Sequence, residues 1–261
     1  MTERVMDAES TMAIQYSEKL MSAAINVVGA VKVELTQDLA RDPKIVALTI
    51  LCRSISNFRA AMLLVQQRHI VEAKALGRCL YENLLWMGAL RERGLDFVQD
   101  MLKDEAFNGQ SLGKLTLRLS KKHGADVNSL DSLTLRSIIK DIGKKFPETK
   151  KLSASKTAAE GVFETAYVEY ARLSLDGVHC SVTALRRHLI REQIAENHTE
   201  FVVSVEARTS DAEILSTILH SCRALTGVAV GANEILGFTT ASGQLGIMVT
   251  EFETNGWARA T

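Results

Sequence analysis

Asp42-Pro43-Lys44-Ile45-Val46-Ala47-Leu48-Thr49-Ile50-Leu51 is the stretch on which the fold turns. An aspartate can accept from the free backbone N–H groups that open a helix. A proline in the first turn brings its own helical φ and gives up no needed donor. From this start to about Gln67, apolar side chains recur on nearly every face, among them Ile45, Val46, Leu51, Ile55, Phe58 and Val65. A helix that is apolar all round must be covered all round, so this one belongs at the centre of a bundle.

Working outward, the pattern continues in helical periods. A third helix is expected from about Ile70 to Arg93, closed by Gly94, as the other central element. Upstream, Ile14, Leu20, Ala24, Val27, Val31 and Leu35 mark one amphipathic helix over about Ser10 to Leu39. Downstream, a fourth helix covers about Leu95 to Lys122, with a break point at Asn108-Gly109 and an end at His123-Gly124. Ser129 or Asp131 caps a fifth, which stops before Pro147. Polar residues from Glu148 to Glu160 are read as an exposed loop. A sixth helix starts near Gly161, and another is expected from about Ser181 to Glu196. The β-branched alternation of Glu200 to Glu206 predicts one short extended segment. Ser210 or Asp211 caps a last long helix to about Leu236, and residues 239–261 form a tail with a helical patch near Leu245 to Phe252. The expected architecture is all-α: one domain over 1–261, about seven or eight helices, a core at roughly 10–238, and at most one extended segment near 200–206.

Composition agrees with that reading. Of 261 residues, 46% are hydrophobic and 24% charged, and Pro43 and Pro147 are the only prolines. Formal net charge is zero, so the whole molecule attracts no partner electrostatically. The distribution is uneven, with eleven Lys/Arg against six Asp/Glu from Lys103 to Lys151, and nine acids against three bases from Glu192 to Thr261. The basic segment is read as a solvated helix face, with an anionic ligand as the alternative. Cys52, Cys79, Cys180 and Cys222 are too far apart for zinc-ligand spacing and suit a reducing compartment. The N-terminus lacks a signal-peptide core, and no uninterrupted apolar run reaches the roughly 18 residues of a membrane span. The expectation is a soluble cytoplasmic protein with no metal, no cofactor and no membrane partner. Phosphate-binding glycine loops, GxSxG elbows and HExxH are absent. Aromatic residues make up 5%, too few and too scattered for a stacking platform.

Three polar constellations interrupt the apolar helices. Arg53 and Asn57 share a face of the second helix. Arg78 and Glu82, also four apart, sit among Leu80, Leu84, Leu85 and Trp86, where a charge needs a partner. Tyr170, Arg172, Ser174 and His179 lie in the sixth helix, and Arg172 and His179, seven apart, share a face if the helix is unbroken. These groups form either a satisfied polar knot that sets helix register or a site for phosphate chemistry. In the second case His179 moves a proton of a ribose hydroxyl, Arg172 clamps the phosphate, and no metal is needed.

The chain resembles an uncharacterised, mostly bacterial family of helical proteins of unknown function. Arg78-Cys-Leu-Tyr-Glu82, Tyr170-Ala-Arg-Leu-Ser174 and His179 carry that resemblance, which runs from about the second helix to the last and implies no activity. A looser likeness is to HEPN domains, small helical bundles that are often dimeric. Many of them are metal-independent ribonucleases of toxin or antiviral systems. Their motif is an Arg, four to six residues, and a His, which Arg172 and His179 fit. The polar residue that usually follows the Arg is Leu173 here. That likeness implies RNA as substrate and a homodimer, with Arg172 and His179 catalytic. Arg78, Glu82, Tyr170, Ser174, Arg53 and Asn57 would support them. The other reading is a non-enzymatic interaction protein whose polar cluster is architectural.

Overall fold

The computed structural model of the chain describes residues 6–32, 41–126, 128–159, 161, 163–179, 181–195 and 198–258. Asp42 accepts from the Lys44 amide at 2.8 Å and opens α2 (Pro43–Gln66), as its sequence predicts. Against α2 lie α3 (Ile70–Arg93) and α9 (Asp211–Ile235), which Ser210 caps through the Glu213 amide. These three helices touch one another along their lengths and hold the fully buried Leu51, Phe58, Leu80, Met87, Leu225 and Val228. The α3–α9 approach is close because glycine makes it so: a Cβ at Gly231 would sit 2.7 Å from Met87 Cγ. By length and composition alone α2 and α9 could each cross a membrane, but here both pack within the bundle.

Helix α1 (Ala8–Gly29) covers α2 and α9, and α10 (Ser242–Thr254) closes over α1. The Tyr16 hydroxyl donates to the Met248 carbonyl at 2.9 Å, and Tyr16, Phe252 and Trp257 form one ring cluster. The core therefore extends past residue 238, which the sequence reading set as its end. The first helix stops at Gly29, and its expected continuation towards Leu39 falls in 33–40, outside the described residues.

Helix α4 (Leu95–Lys122) runs unbroken through Asn108-Gly109. Its partner explains why: α5 (Leu130–Lys145) lays Ile139 and Ile142 over the glycine side, where a Cβ at Gly113 would come within 2.8 Å of Ile139. The expected exposed loop at 148–160 contains instead a short helix, α6 (Ala154–Ala159), with Ala154 and Ala158 buried against Leu85. Two small side chains four apart suit that close contact.

Helix α7 (Glu164–Leu173) widens into a π-turn at Ser174–Val178. The helix expected over Ser181 to Glu196 does not form. The four-residue α8 (Val182–Leu185) and a 3₁₀ turn at Arg186–His188 lead into β1 (Leu189–Ala195), paired antiparallel with β2 (His198–Val203). One extended segment cannot satisfy its own backbone, so the strand foreseen near 200–206 takes the preceding residues as its partner. The described residues thus form an all-α bundle with one two-stranded appendage; eight of the α-helices have ten residues or more. Of the cysteines, Cys222 is buried and Cys52 is exposed.

Candidate functional site

The charged residues that converge do so under α7, where α3, α7, the π-turn and α9 meet. Three helices each present a polar stripe at helical spacing. Helix α3 offers Lys74, Arg78 and Tyr81, and α7 with its π-turn offers Glu169, Arg172 and Asp176. Helix α9 offers Glu213 and His220.

In the first group Arg78 pairs with Glu82 at 3.2 Å, donates to the Tyr170 hydroxyl, and lies over the Tyr170 ring at 4.7 Å from its centroid. Burial works against the Arg78 charge, but Glu82 and Tyr170 outweigh it, and the guanidinium is held more firmly charged than usual. Ser174, buried, donates to the Tyr170 carbonyl at 2.8 Å and serves the backbone.

The second group centres on His220 of α9. Arg172 donates to its Nε2 and also pairs with Glu169 at 2.7 Å. Because arginine only donates, Nε2 is the acceptor and Nδ1 carries the proton. That proton faces the Tyr81 hydroxyl at 3.2 Å and the Glu169 carboxylate at 3.5 Å. Burial, with Arg172, Arg223 and Lys74 close by, pushes His220 down to about 3, so the ring is neutral. Its side chain is 3% exposed against 55% for Arg172: the arginine caps a histidine that solvent hardly reaches.

A third group is a ring of alternating charge. Lys74 contacts both Asp176 and Glu213, and Arg187 meets Asp176 at 2.8 Å and Glu213 at 2.5 Å. Burial disfavours the Asp176 charge, yet Lys74 and Arg187 more than offset it and hold the carboxyl below its usual range. This ring ties the π-turn and the base of the hairpin to α3 and α9. Gly177 brings the turn in: a Cβ there would fall 2.9 Å from the Ala75 nitrogen.

The structure brings together Arg78, Glu82, Tyr170 and, through His220, Arg172. It does not bring in the others. His179 follows the π-turn with extended backbone, is exposed, and makes no side-chain hydrogen bond or ion pair among the described residues. The face it would share with Arg172 required an unbroken α-helix, and the wider turn removes that condition. Arg53 is exposed on α2, Asn57 is half-buried there, and among the described residues neither side chain has a hydrogen bond or ion pair to the cluster. The α3–α2 polar link runs instead from the Asn83 side-chain amide to the Ser54 hydroxyl at 3.0 Å. Glu169, Tyr81, Lys74, Asp176, Arg187, Glu213 and His220 escaped the sequence reading. The spacing of polar residues along α3, α9 and α7 with its π-turn was the advance signal for all of these but Arg187, which lies in the 3₁₀ turn at Arg186–His188.

Chemically the cluster is a set of closed pairs. Among the described residues no group of three or more His, Cys, Asp or Glu side chains could hold a metal ion. No curated protein and no solved structure matches the chain. A family model does match, from residue 44 at the start of α2 to residue 197 at the hairpin, so α9 lies outside the match although the resemblance was expected to reach it. The likeness to HEPN domains gains no support beyond the two residues that suggested it. Over more than half its length, including α3 with Arg78 and Glu82 and the whole Tyr170 to His179 segment, the chain belongs to DUF5677, a family of unknown function.

Proposed function

We propose that this protein works by association rather than catalysis, that its polar cluster is a brace, and that its binding face is the surface built on the brace. One observation carries the reading. Between Leu175 and Val205 ten large apolar side chains are exposed, with Val205 at 97%, Val203 at 76% and Phe201 at 71%. An isolated two-stranded hairpin is marginal in water, and a concentration of exposed apolar side chains, with Phe201 and Val203 on one face of β2, marks a binding face. The occupant is a second copy of this chain. Among the described residues the exposed charges of the region balance, Arg186, Arg191 and Arg208 against Glu192, Glu200 and Glu206, so the face suits neither a strongly basic nor a strongly acidic partner and suits itself. Glu192 lies directly across the ladder from Glu200, a like-charge pair that an arginine of the second copy would relieve.

Sedimentation of the purified protein tests this. The wild type is expected to dimerise, and Phe201→Glu with Val203→Glu to give monomer of unchanged helical content. A wild-type monomer at every concentration, or a variant that still dimerises, removes the proposal. The free thiols of Cys52, Cys79 and Cys222 suit a cytoplasmic setting.

A metal-independent ribonuclease of a bacterial defence or toxin type is the second reading, favoured by one contact: the half-exposed Arg172 meets a histidine, His220 rather than His179. RNA incubated with wild type, Arg172→Ala and His179→Ala separates the two. Association predicts no cleavage by any of the three. Cleavage lost in Arg172→Ala supports the enzyme, and loss in His179→Ala as well restores the pair named from the sequence.

A further inference from the structure

We propose that the pocket between α4 and α5 binds a phosphate-bearing anion. The pocket has a volume of about 350 Å³ and is lined by Leu117, Arg118, Ser120 and Lys121 of α4, by Ala125, and by Ser132 and Arg136 of α5. Three cations converge on it from two helices. Among the described residues none of the three makes an ion pair or a hydrogen bond through its side chain. That sets them apart from the paired cations under α7. The acids nearest in sequence, Asp126, Asp131 and Asp141, do not line the pocket, and the Asp126 carboxylate accepts from the Asn128 amide at 2.9 Å. Ser120 adds a hydroxyl donor free of other side-chain bonds, while Ser132 spends its hydroxyl on the Asp126 carbonyl.

The chemistry selects the ligand. Two guanidinium groups and an ammonium around a small pocket match a compact oxyanion of more than one charge, because a guanidinium meets phosphate oxygens in a two-point fork. The volume is at the lower end for small-molecule sites and suits a phosphate ester or diphosphate, not a polymer. Two sources carry that chemistry, a soluble phosphate compound and a phospholipid headgroup. Leu115 and Leu119 stand exposed on α4 within a turn of Arg118, which would let a membrane surface approach.

The test uses the full chain. Inorganic pyrophosphate is titrated calorimetrically at low salt, and vesicles of phosphatidylcholine with and without phosphatidic acid are co-sedimented. The comparison variant is Arg118→Gln with Arg136→Gln, both positions exposed. Pyrophosphate is expected to bind wild type, more weakly as salt rises, and the double variant at least about tenfold more weakly. Sedimentation only with the phosphatidic acid vesicles, reversed by pyrophosphate, supports the pocket and assigns a lipid source. Pyrophosphate binding without vesicle binding supports it and assigns a soluble one. Refusal of both probes overturns the proposal, as does equal binding by the double variant or binding abolished by Arg172→Ala instead.

Discussion

The seam under α7 and the groove between α4 and α5 use the same side chains and end in opposite states. Under α7 each cation meets an acid, a phenol or an imidazole: Arg78 has Glu82 and Tyr170, Lys74 and Arg187 share Asp176 and Glu213, and Arg172 has Glu169 and His220. Between α4 and α5, Arg118, Lys121 and Arg136 line an open pocket, and among the described residues they have no such partner. The difference teaches where to look for each job. Charges that are satisfied within the chain hold elements together. Charges left open on a formed concavity are available to something else. Composition marked the second region only by its excess of lysine and arginine, read there as a solvated helix face with an anionic ligand as the alternative, while motif reading pointed to the first.

The strongest way to break the comparison is to remove the acid at the centre of the seam. Asp176 sits between Lys74 and Arg187, whose side chains are only 11% and 20% exposed. Asp176→Asn leaves two cations facing each other across one remaining carboxylate. The cost should be on the order of 3 kcal/mol, because deleting one partner of a largely buried pair strands the other charge. Denaturant unfolding followed by circular dichroism reads it. A loss below about 0.5 kcal/mol would place the ring among surface pairs of little consequence and undo its role as the hairpin's anchor.

Why the sequence led to most of the long helices and only part of the seam follows from the range of each signal. Asp42-Pro43 and Ser210 act within a few residues of themselves, so the starts of α2 and α9 were legible. Arg78 and Glu82 lie one turn apart on one helix, and their pairing was legible for the same reason. Arg172 and His220 are 48 residues apart, and their contact depends on α7 and α9 both packing against α3. The π-turn was illegible because it sits, through Gly177, against the backbone of α3, an element a hundred residues earlier in the chain, and no local residue announces that contact. Gly109 misled in the opposite sense. As local punctuation it suggests a break, whereas in the fold it faces Ile142 of α5. The hairpin shows the same limit: β1 is extended because β2 needs a partner.

Acid sharpens the contrast with an intermediate effect. His220 is held down at about 3, against an ordinary 6.5, first by burial and then by the cations around it. The unfolded chain takes up that proton more readily than the folded one. The histidine's contribution is therefore complete above about pH 6.5 and is lost as pH falls towards 3. Stability should decline below about pH 6.5 with a slope approaching 1.4 kcal/mol per pH unit. His220→Gln keeps an acceptor for Arg172 and should flatten that decline. The steeper loss at lower pH, where Asp176 gives up its lowered value, should remain. Melting temperatures at a series of pH values decide it: an unchanged slope in His220→Gln would mean that the ring is not kept neutral by its burial.

The smallest effect is expected in the groove, and its smallness is the point. Arg118 and Arg136 are exposed and have no side-chain partner among the described residues, so Arg118→Gln with Arg136→Gln should move unfolding free energy by no more than about 0.5 kcal/mol. Relief of like charge around the pocket, where Lys121 remains, could even stabilise slightly at low salt. Under α7 an equivalent loss of two cations would strand Asp176 and Glu213. A double variant that melts with the wild type, set beside Asp176→Asn that does not, would separate arginines that hold the fold from arginines that the fold holds ready. A large destabilisation by the double variant would show that the α4–α5 cations already have a structural task and would return that groove to the same class as the seam.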